Sequence, residues 1–451
     1  MPSYENVWLV PIFELDRVVK WGVVSTGLQR VASIGLGVLT TLLLTNVMGV
    51  EQFGYYTYVI GIVTLVLIPA QIGIPQFVLR ETIRSIEAKN DVATASVIRW
   101  GYVVVTIAAC IAIAGLIVFS HVAMAPGMAH LVLLALPLVV LTSWNEVRAS
   151  VLRAYGWVTR SQLPENIVKP MALLFAVAAM ALLAGTDSIA AEEAILANVF
   201  GVTLALFVGF WLFRKVHAGG KFVAVYHHKA WMLATTALGL TTALRAVSLN
   251  LGVVLLGSFG MIEETGLFKV ASLVASQVGV AMQVANIVIA KDVGAALERG
   301  DKRHAERLLQ TSSLLTTLAS AGLVLFLLIF GRWLLDLAFP PAFQVVYWPM
   351  IILAIGQLVA NFTGSVSLLL NLARLEWVAM RALLYSTIVN VIANLALIPL
   401  YGVMGAAIAS LLTVIVWTSV MNLQLRRLLE MQVSFLAAVT GMFVRRRNGN
   451  L

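Results

Sequence analysis

Arginine at bilayer depth is costly, and this chain carries two in matching places. Arg30 lies with Thr26, Ser33 and Gly37 in one long apolar stretch, and Arg245 lies with Thr241, Ser248 and Gly252 in another. The spacings are the same in both, and steps of three and four residues put all four positions on one helix face. A charge at the bilayer centre costs about 2.5–3.5 kcal/mol on insertion scales, so it is seldom left against lipid. The stripe therefore predicts an inward charge on two like helices, lining a cavity suited to an anion. Arginine offers planar paired donors that match phosphate or carboxylate. At an effective dielectric near 20, one charge pair at 4 Å is worth roughly 4 kcal/mol. Two such arginines would draw in a pyrophosphate or an acidic sugar without trapping it. The plainer reading is a pair of charges bridged to nearby acids or carbonyls that hold helices together.

A third deep arginine, Arg148, follows Glu146 in Trp144-Asn145-Glu146-Val147-Arg148. The two charges are two residues apart, so they do not share a helix face. Arg148 joins Arg30 and Arg245 as a candidate for holding an anionic headgroup. Glu146 either neutralises Arg30 or Arg148 or serves as a protonatable coupling site. Thr26, Ser33, Thr241, Ser248, Asn250, Asn361 and Asn390 are candidate cavity or helix-packing groups, and Gln283 and Asn394 are further polar residues of the apolar runs. Most groups of this kind make interhelical hydrogen bonds, worth around 0.6 kcal/mol each. No carboxylate pair, Ser/His/Asp set or metal-ligand cluster stands out, and no GxxxxGK[ST] loop occurs, so no metal, cofactor or ATP hydrolysis is expected. The single cysteine, Cys110, excludes an intramolecular disulfide.

The elements that must position these groups follow from composition. Of 451 residues, 61% are hydrophobic and 11% charged, against about 25% charged in a soluble protein. An all-α polytopic membrane protein is predicted. A span needs roughly 20 apolar residues, and twelve such runs occur: 19–47, 55–80, 98–120, 130–152, 166–185, 193–213, 231–258, 266–290, 308–330, 346–371, 377–398 and 403–425. The first is too long for a cleaved signal and reads as a retained span.

Lys and Arg collect between alternate spans, as in Arg80, Arg84 and Lys89, then Lys291, Arg299 and Lys302, then Arg426 and Arg427. The opposite loops carry Glu51, Asp187, Glu263, Glu264 and Asp336. By the positive-inside rule both termini are expected in the cytoplasm. The net charge of +9 is then mainly a topology signal, and nucleic acid is not an expected partner. Residues 432–443 are apolar but too few to span. With Arg445, Arg446 and Arg447 behind them, they read as an interfacial segment held to anionic membrane lipids.

The chain also reads as two like halves. The first arginine helix leads into Met48-Gly49-Val50-Glu51-Gln52-Phe53-Gly54-Tyr55-Tyr56, and the second into Gly260-Met261-Ile262-Glu263-Glu264-Thr265-Gly266-Leu267-Phe268. Each is a glycine-flanked acidic turn that opens an aromatic-led helix. Six spans per half is an even number, so both halves insert the same way round. A pseudo-two-fold axis along the membrane normal should relate two six-helix bundles, at 1–213 and 231–427. The basic stretch 214–230 would link them in the cytoplasm, and 428–451 would form a basic cytoplasmic tail.

Three segments carry a resemblance. The Met48–Tyr56 turn is one, and Ile72-Gly73-Ile74-Pro75-Gln76 followed by Arg80-Glu81 is another. The most specific is Asn394-Leu395-Ala396-Leu397-Ile398-Pro399-Leu400-Tyr401-Gly402-Val403-Met404-Gly405-Ala406-Ala407-Ile408-Ala409-Ser410. Together with the span count they resemble the multidrug/oligosaccharidyl-lipid/polysaccharide (MOP) exporter superfamily, and within it the polysaccharide transporter and Wzx-like O-antigen flippase group. The resemblance implies two bundles around a central cavity that opens alternately to each side of a bacterial inner membrane. It also implies a lipid-linked oligosaccharide as cargo and polysaccharide-assembly proteins as partners. Twelve spans count against the lipid II flippase branch, which commonly has fourteen. A multidrug or small-solute antiporter of the same fold is the second reading, although a cation exporter should have more deep acids than bases. A membrane polysaccharide polymerase or ligase is the third, and the short outer loops speak against it.

Overall fold

The structure, a computed structural model, describes residues 12–184, 189–214, 228–373 and 375–440, with side chains from Gly27 onward in the first helix. The Thr26 side chain, most of the linker expected at 214–230, and Arg445, Arg446 and Arg447 lie outside the described residues. Every regular element among the described residues is helical. The first half comprises α1 (Ile12–Gln71), α2 (Ile74–Glu87), α3 (Asp91–Ala123), α4 (Pro126–Ala135), α5 (Pro137–Ala154), α6 (Val158–Leu163), α7 (Lys169–Ala184) and α8 (Ala191–Phe213). The second comprises α9 (His228–Ser258), α10 (Ile262–Ser276), α11 (Val280–Glu298), α12 (Lys302–Ala338), α13 (Tyr347–Thr363), α14 (Val366–Leu372) and α15 (Glu376–Leu429). Proline punctuates several of them. Pro126 and Pro137 stand at the first positions of α4 and α5, where a missing N–H costs nothing.

Among the described residues, ten helical stretches are long and apolar enough to cross a bilayer. Two of the ten are long enough to cross it twice. The 60 residues of α1 would run about 90 Å as one straight helix, three times a hydrocarbon core of about 30 Å. The helix instead breaks at Gly49, at φ 73° and ψ 176°, a conformation essentially confined to glycine. Its contacts show the return. Arg30 bonds Gln283, Gly54 packs on Ile262, and Gly73 packs on Gly239. From Ile262 to Gln283 the chain descends once, so α1 climbs from Arg30 to Gly54 and comes back toward Gly73. The 54 residues of α15 break the same way at Gly402, at φ 53° and ψ −128°. Val378 before that break and Leu425 after it share one buried cluster. The ten stretches, two of them doubled, give the twelve expected passes.

The end where both helices turn is closely packed. Gly54 of the first half and Gly266 of the second touch: a Cβ on Gly54 would overlap the Ile262 carbonyl, and one on Gly266 would crowd the Gly54 amide. Phe53 stacks edge-on against Phe343 at 6.3 Å between ring centres. Glu264 also has a structural duty here. Its carboxylate lies against Gly402 and accepts from the Val403 N–H. The helix restarting after Gly402 presents unpaired N–H groups and partial positive charge, which a carboxylate satisfies. The opposite end of the molecule carries the exposed cations Arg80, Arg84, Lys89, Arg99, Lys302, Arg303, Arg426 and Arg427.

The stretch after α15 is not a free interfacial segment as far as residue 440. Met431 and Val433 are buried in the second half's core, and Phe435 stacks on Phe362 at 5.4 Å. Glu306 accepts from the Gln432 N–H at 2.7 Å, and Gln310 donates to the Gln432 carbonyl at 2.8 Å. Burial of Met431 and Val433 ties the start of this segment to the protein, while Leu436 stays exposed.

Candidate substrate cavity

A cavity of about 650 Å³ lies where the first half meets the second, toward the basic end. Three walls build it. From α1 come Leu28, Arg30, Val31 and Ile34, and from α11 come Val280, Gln283, Val284, Ile287 and Val288. The third wall belongs to the first half: Glu146, Ala149 and Arg153 of α5, then Ser161, Gln162, Glu165 and Asn166. Glu165 owes its place to a π-helical turn, Pro164–Val168, between α6 and α7. Pro164 and Pro170 each lack a ladder donor, and the backbone between them takes the wider turn.

The charges in these walls are connected. Arg30 reaches across the seam, its Nη2 donating to Gln283 Oε1 at 3.3 Å. Glu146 and Arg153 lie 3.9 Å apart, with side chains 40% and 33% exposed. Arg153 also donates to Ser150 Oγ at 2.8 Å. Glu165 faces Lys169 at 3.7 Å and accepts a hydrogen bond from the Asn145 amide. The walls thus hold two arginines and two glutamates. Only Arg30 has no acid within ion-pair distance among the described contacts.

Arg148 has a different place from the one its sequence context indicated. It is wholly buried within the first half and does not line this cavity. Its Nε donates to Asn145 Oδ1 at 3.0 Å, which ties it through Asn145 to Glu165. Its guanidinium lies against Gly209 of α8, where any Cβ would overlap it. Two residues from Glu146 on α5, it turns inward where Glu146 turns to the cavity. Arg245 is exposed on α9 and does not line this cavity either. The seam on which it lies is the shut one: Gly239 packs on Ile72 and Gly73, and Gln76 donates to Thr242 Oγ1 at 3.3 Å. Arg30 and Arg245 therefore do not converge here.

Three of the other polar positions, Ser248, Asn361 and Asn390, join helical segments. Ser248 and Thr387 share a hydrogen bond at 2.8 Å between α9 and α15. Asn250 donates to its own helix, to the Ala246 carbonyl. Asn361 is buried and donates to the Val278 carbonyl and to Ser320 Oγ. Asn390 donates to Thr413 Oγ1 at 2.6 Å. Ser33 is half-buried on α1, and Thr241 is exposed on α9; neither lines the cavity. Sequence reasoning passed over Arg153 and Glu165. Arg153 was legible, since it follows Glu146 by two helical turns on one face. Glu165 was not, because the π turn that aims it is a product of packing.

Long apolar helices gathered around a charged cavity with an apolar rim define an all-helical membrane-protein architecture. Solved structures share this fold. A multidrug resistance MATE family transporter of the MOP superfamily, in an inward-facing conformation, superposes with a TM-score of 0.70 at 14% identity, over 88% of this chain and 94% of that one. The lipid II flippase MurJ, in an inward closed conformation, gives 0.71 at 11% identity, over 88% and 87%. A MOP superfamily transporter from Pyrococcus furiosus, described as having a binding pocket of reversed polarity, gives 0.59 at 14% identity, over 89% and 95%. This chain shares its fold with these structures. No protein-family model and no curated protein sequence matches it.

Proposed function

We propose that this protein flips a polyprenyl-(pyro)phosphate-linked oligosaccharide from the cytoplasmic to the outer leaflet by alternating access, for polysaccharide assembly. One observation carries the reading: the cavity is charged within and apolar at its rim. Leu28, Val31 and Val288 are 65%, 55% and 64% exposed and stand on both sides of the seam that holds Arg30 and Arg153. In a membrane such side chains meet acyl chains. An anionic headgroup would sit on the arginines while its lipid tail stays between α1 and α11. The basic end would face the cytoplasm, with both termini there, in the cytoplasmic membrane. The similarity to a lipid II flippase fold accords with a lipid-linked cargo.

A multidrug exporter of the same fold is the second reading. Glu146 and Glu165 in the cavity wall favour it, because carboxylates attract organic cations. Reconstitution separates the two. Purified protein in liposomes with a lipid-linked oligosaccharide should expose the sugar to an impermeant reagent, and Arg30→Ala should slow this about tenfold while membrane insertion is kept. Proton- or sodium-driven efflux of an organic cation, with no sugar exposure, would replace the flippase reading with the exporter.

A further inference from the structure

Resting on the flippase reading, we infer that Glu146 is a resident competitor for the cargo's phosphate: it holds Arg153 while the cavity is empty and releases it when the headgroup arrives. Three observations lead there. First, the two arginines of the cavity wall differ in what they hold. Arg30 is engaged by a neutral amide, Gln283, whereas Arg153 is engaged by a carboxylate. Second, that carboxylate contact is loose. At 3.9 Å with both side chains a third or more exposed, it is an ion pair of the kind worth little in isolation. Third, the neighbouring acid is committed elsewhere. Glu165 is held by Lys169 and Asn145, and Asn145 is itself held by the buried Arg148, so Glu165 is not free to take the place of Glu146.

A phosphate entering beside Arg30 is a better partner for Arg153 than Glu146 is. It offers more acceptor oxygens, in the geometry that a guanidinium fork matches. Exchange leaves Glu146 facing Glu165 without its cation, so it would swing away or accept a proton or metal cation. The empty carrier then has a balanced cavity, with no bare pair of arginines to trap arbitrary anions. The loaded one has a two-arginine clamp. Arg153 becomes a headgroup-binding residue, and Glu146 a positioning residue that acts through it.

A double-mutant cycle tests the exchange. Full-length protein in lipid nanodiscs is titrated with farnesyl diphosphate by calorimetry, as wild type, Glu146→Gln, Arg153→Gln and the double variant. Glu146→Gln should bind about three- to fivefold more tightly, the range of a half-exposed ion pair. Arg153→Gln should bind about tenfold more weakly. In the Arg153→Gln background, Glu146→Gln should have no further effect, because the competitor has lost its object. In an Arg153→Lys background, which keeps the charge in a folded protein, Glu146→Gln should again tighten binding. Equal tightening with and without a cation at 153 would mean simple removal of negative charge and would overturn the exchange, while leaving the flippase reading intact. Wild-type protein that binds no farnesyl diphosphate would overturn both.

Discussion

Arg148 and Arg153 stand on one helix, five positions apart, and the surroundings of each decide what its loss would do. Arg148 is sealed against Gly209 and bonded to Asn145. Arg148→Ala would leave Asn145 and Glu165 without their buried cation, and breaking such a pair costs about 3–5 kcal/mol. We expect this variant to lose thermal stability in detergent, read by the unfolding midpoint of the purified protein. Gly209→Ala should do the same without removing a charge, since its methyl would displace the guanidinium. Arg30→Ala should keep the wild-type midpoint and lose ligand affinity instead. The opposed outcomes for two deep arginines are the measure of this assignment, and equal destabilisation by both would refute it. Sequence alone treated the two as equivalent. A hydropathy pattern shows that a charge is buried but not which neighbour it meets.

At the scale of elements, the turns were more legible than the helices they join. The glycine-flanked motifs at Gly49–Gly54 and Gly260–Gly266 announced tight reversals, because positive φ and close backbone approach are needs that glycine meets locally. Two consequences of the motifs were not legible. Gly54 and Gly266 pack on one another across the halves, and Glu264 caps the restart of α15 beyond Gly402. Glu264→Gln should weaken that cap and lower the unfolding midpoint by a few degrees, corresponding to about 1 kcal/mol for a lost charged cap. Gly54→Leu should wedge the turn end apart, since no side chain fits against the Ile262 carbonyl. In a Cys110→Ser background, a cysteine at Gln162 should then react with an impermeant maleimide added from the turn side. Wild-type labelling from that side would show that the wedge is absorbed.

For the whole molecule, the two seams between the halves differ. One seam is shut where Gly239 meets Gly73, and the other holds the cavity between α1 and α11. That asymmetry places Arg30 in the cavity and leaves Arg245 outside it, although both occupy the same position in their stripes. Alternating access would require the Gly54–Gly266 contact to open as the cavity closes. Cargo bound in the cavity should accordingly protect a cysteine at Gln162 from a maleimide applied at the basic end, and Arg30→Ala should remove that protection. Full protection in the Arg30→Ala variant would place the headgroup elsewhere.

The apolar runs that become long helices, and the end where the cations collect, were legible in the sequence itself. Each depends on local quantities: the length of an apolar run, the spacing of a helical face and the side on which cations collect. Which polar groups meet was decided only by tertiary structure. Glu165 reaches the cavity through a π turn, Arg148 is taken up by a groove at Gly209, and Met431 and Val433 are drawn into the second half's core. A duplicated stripe can specify two identical helices. How the two halves pack then decides which copy of the stripe faces a cavity, and here one seam is shut while the other is open.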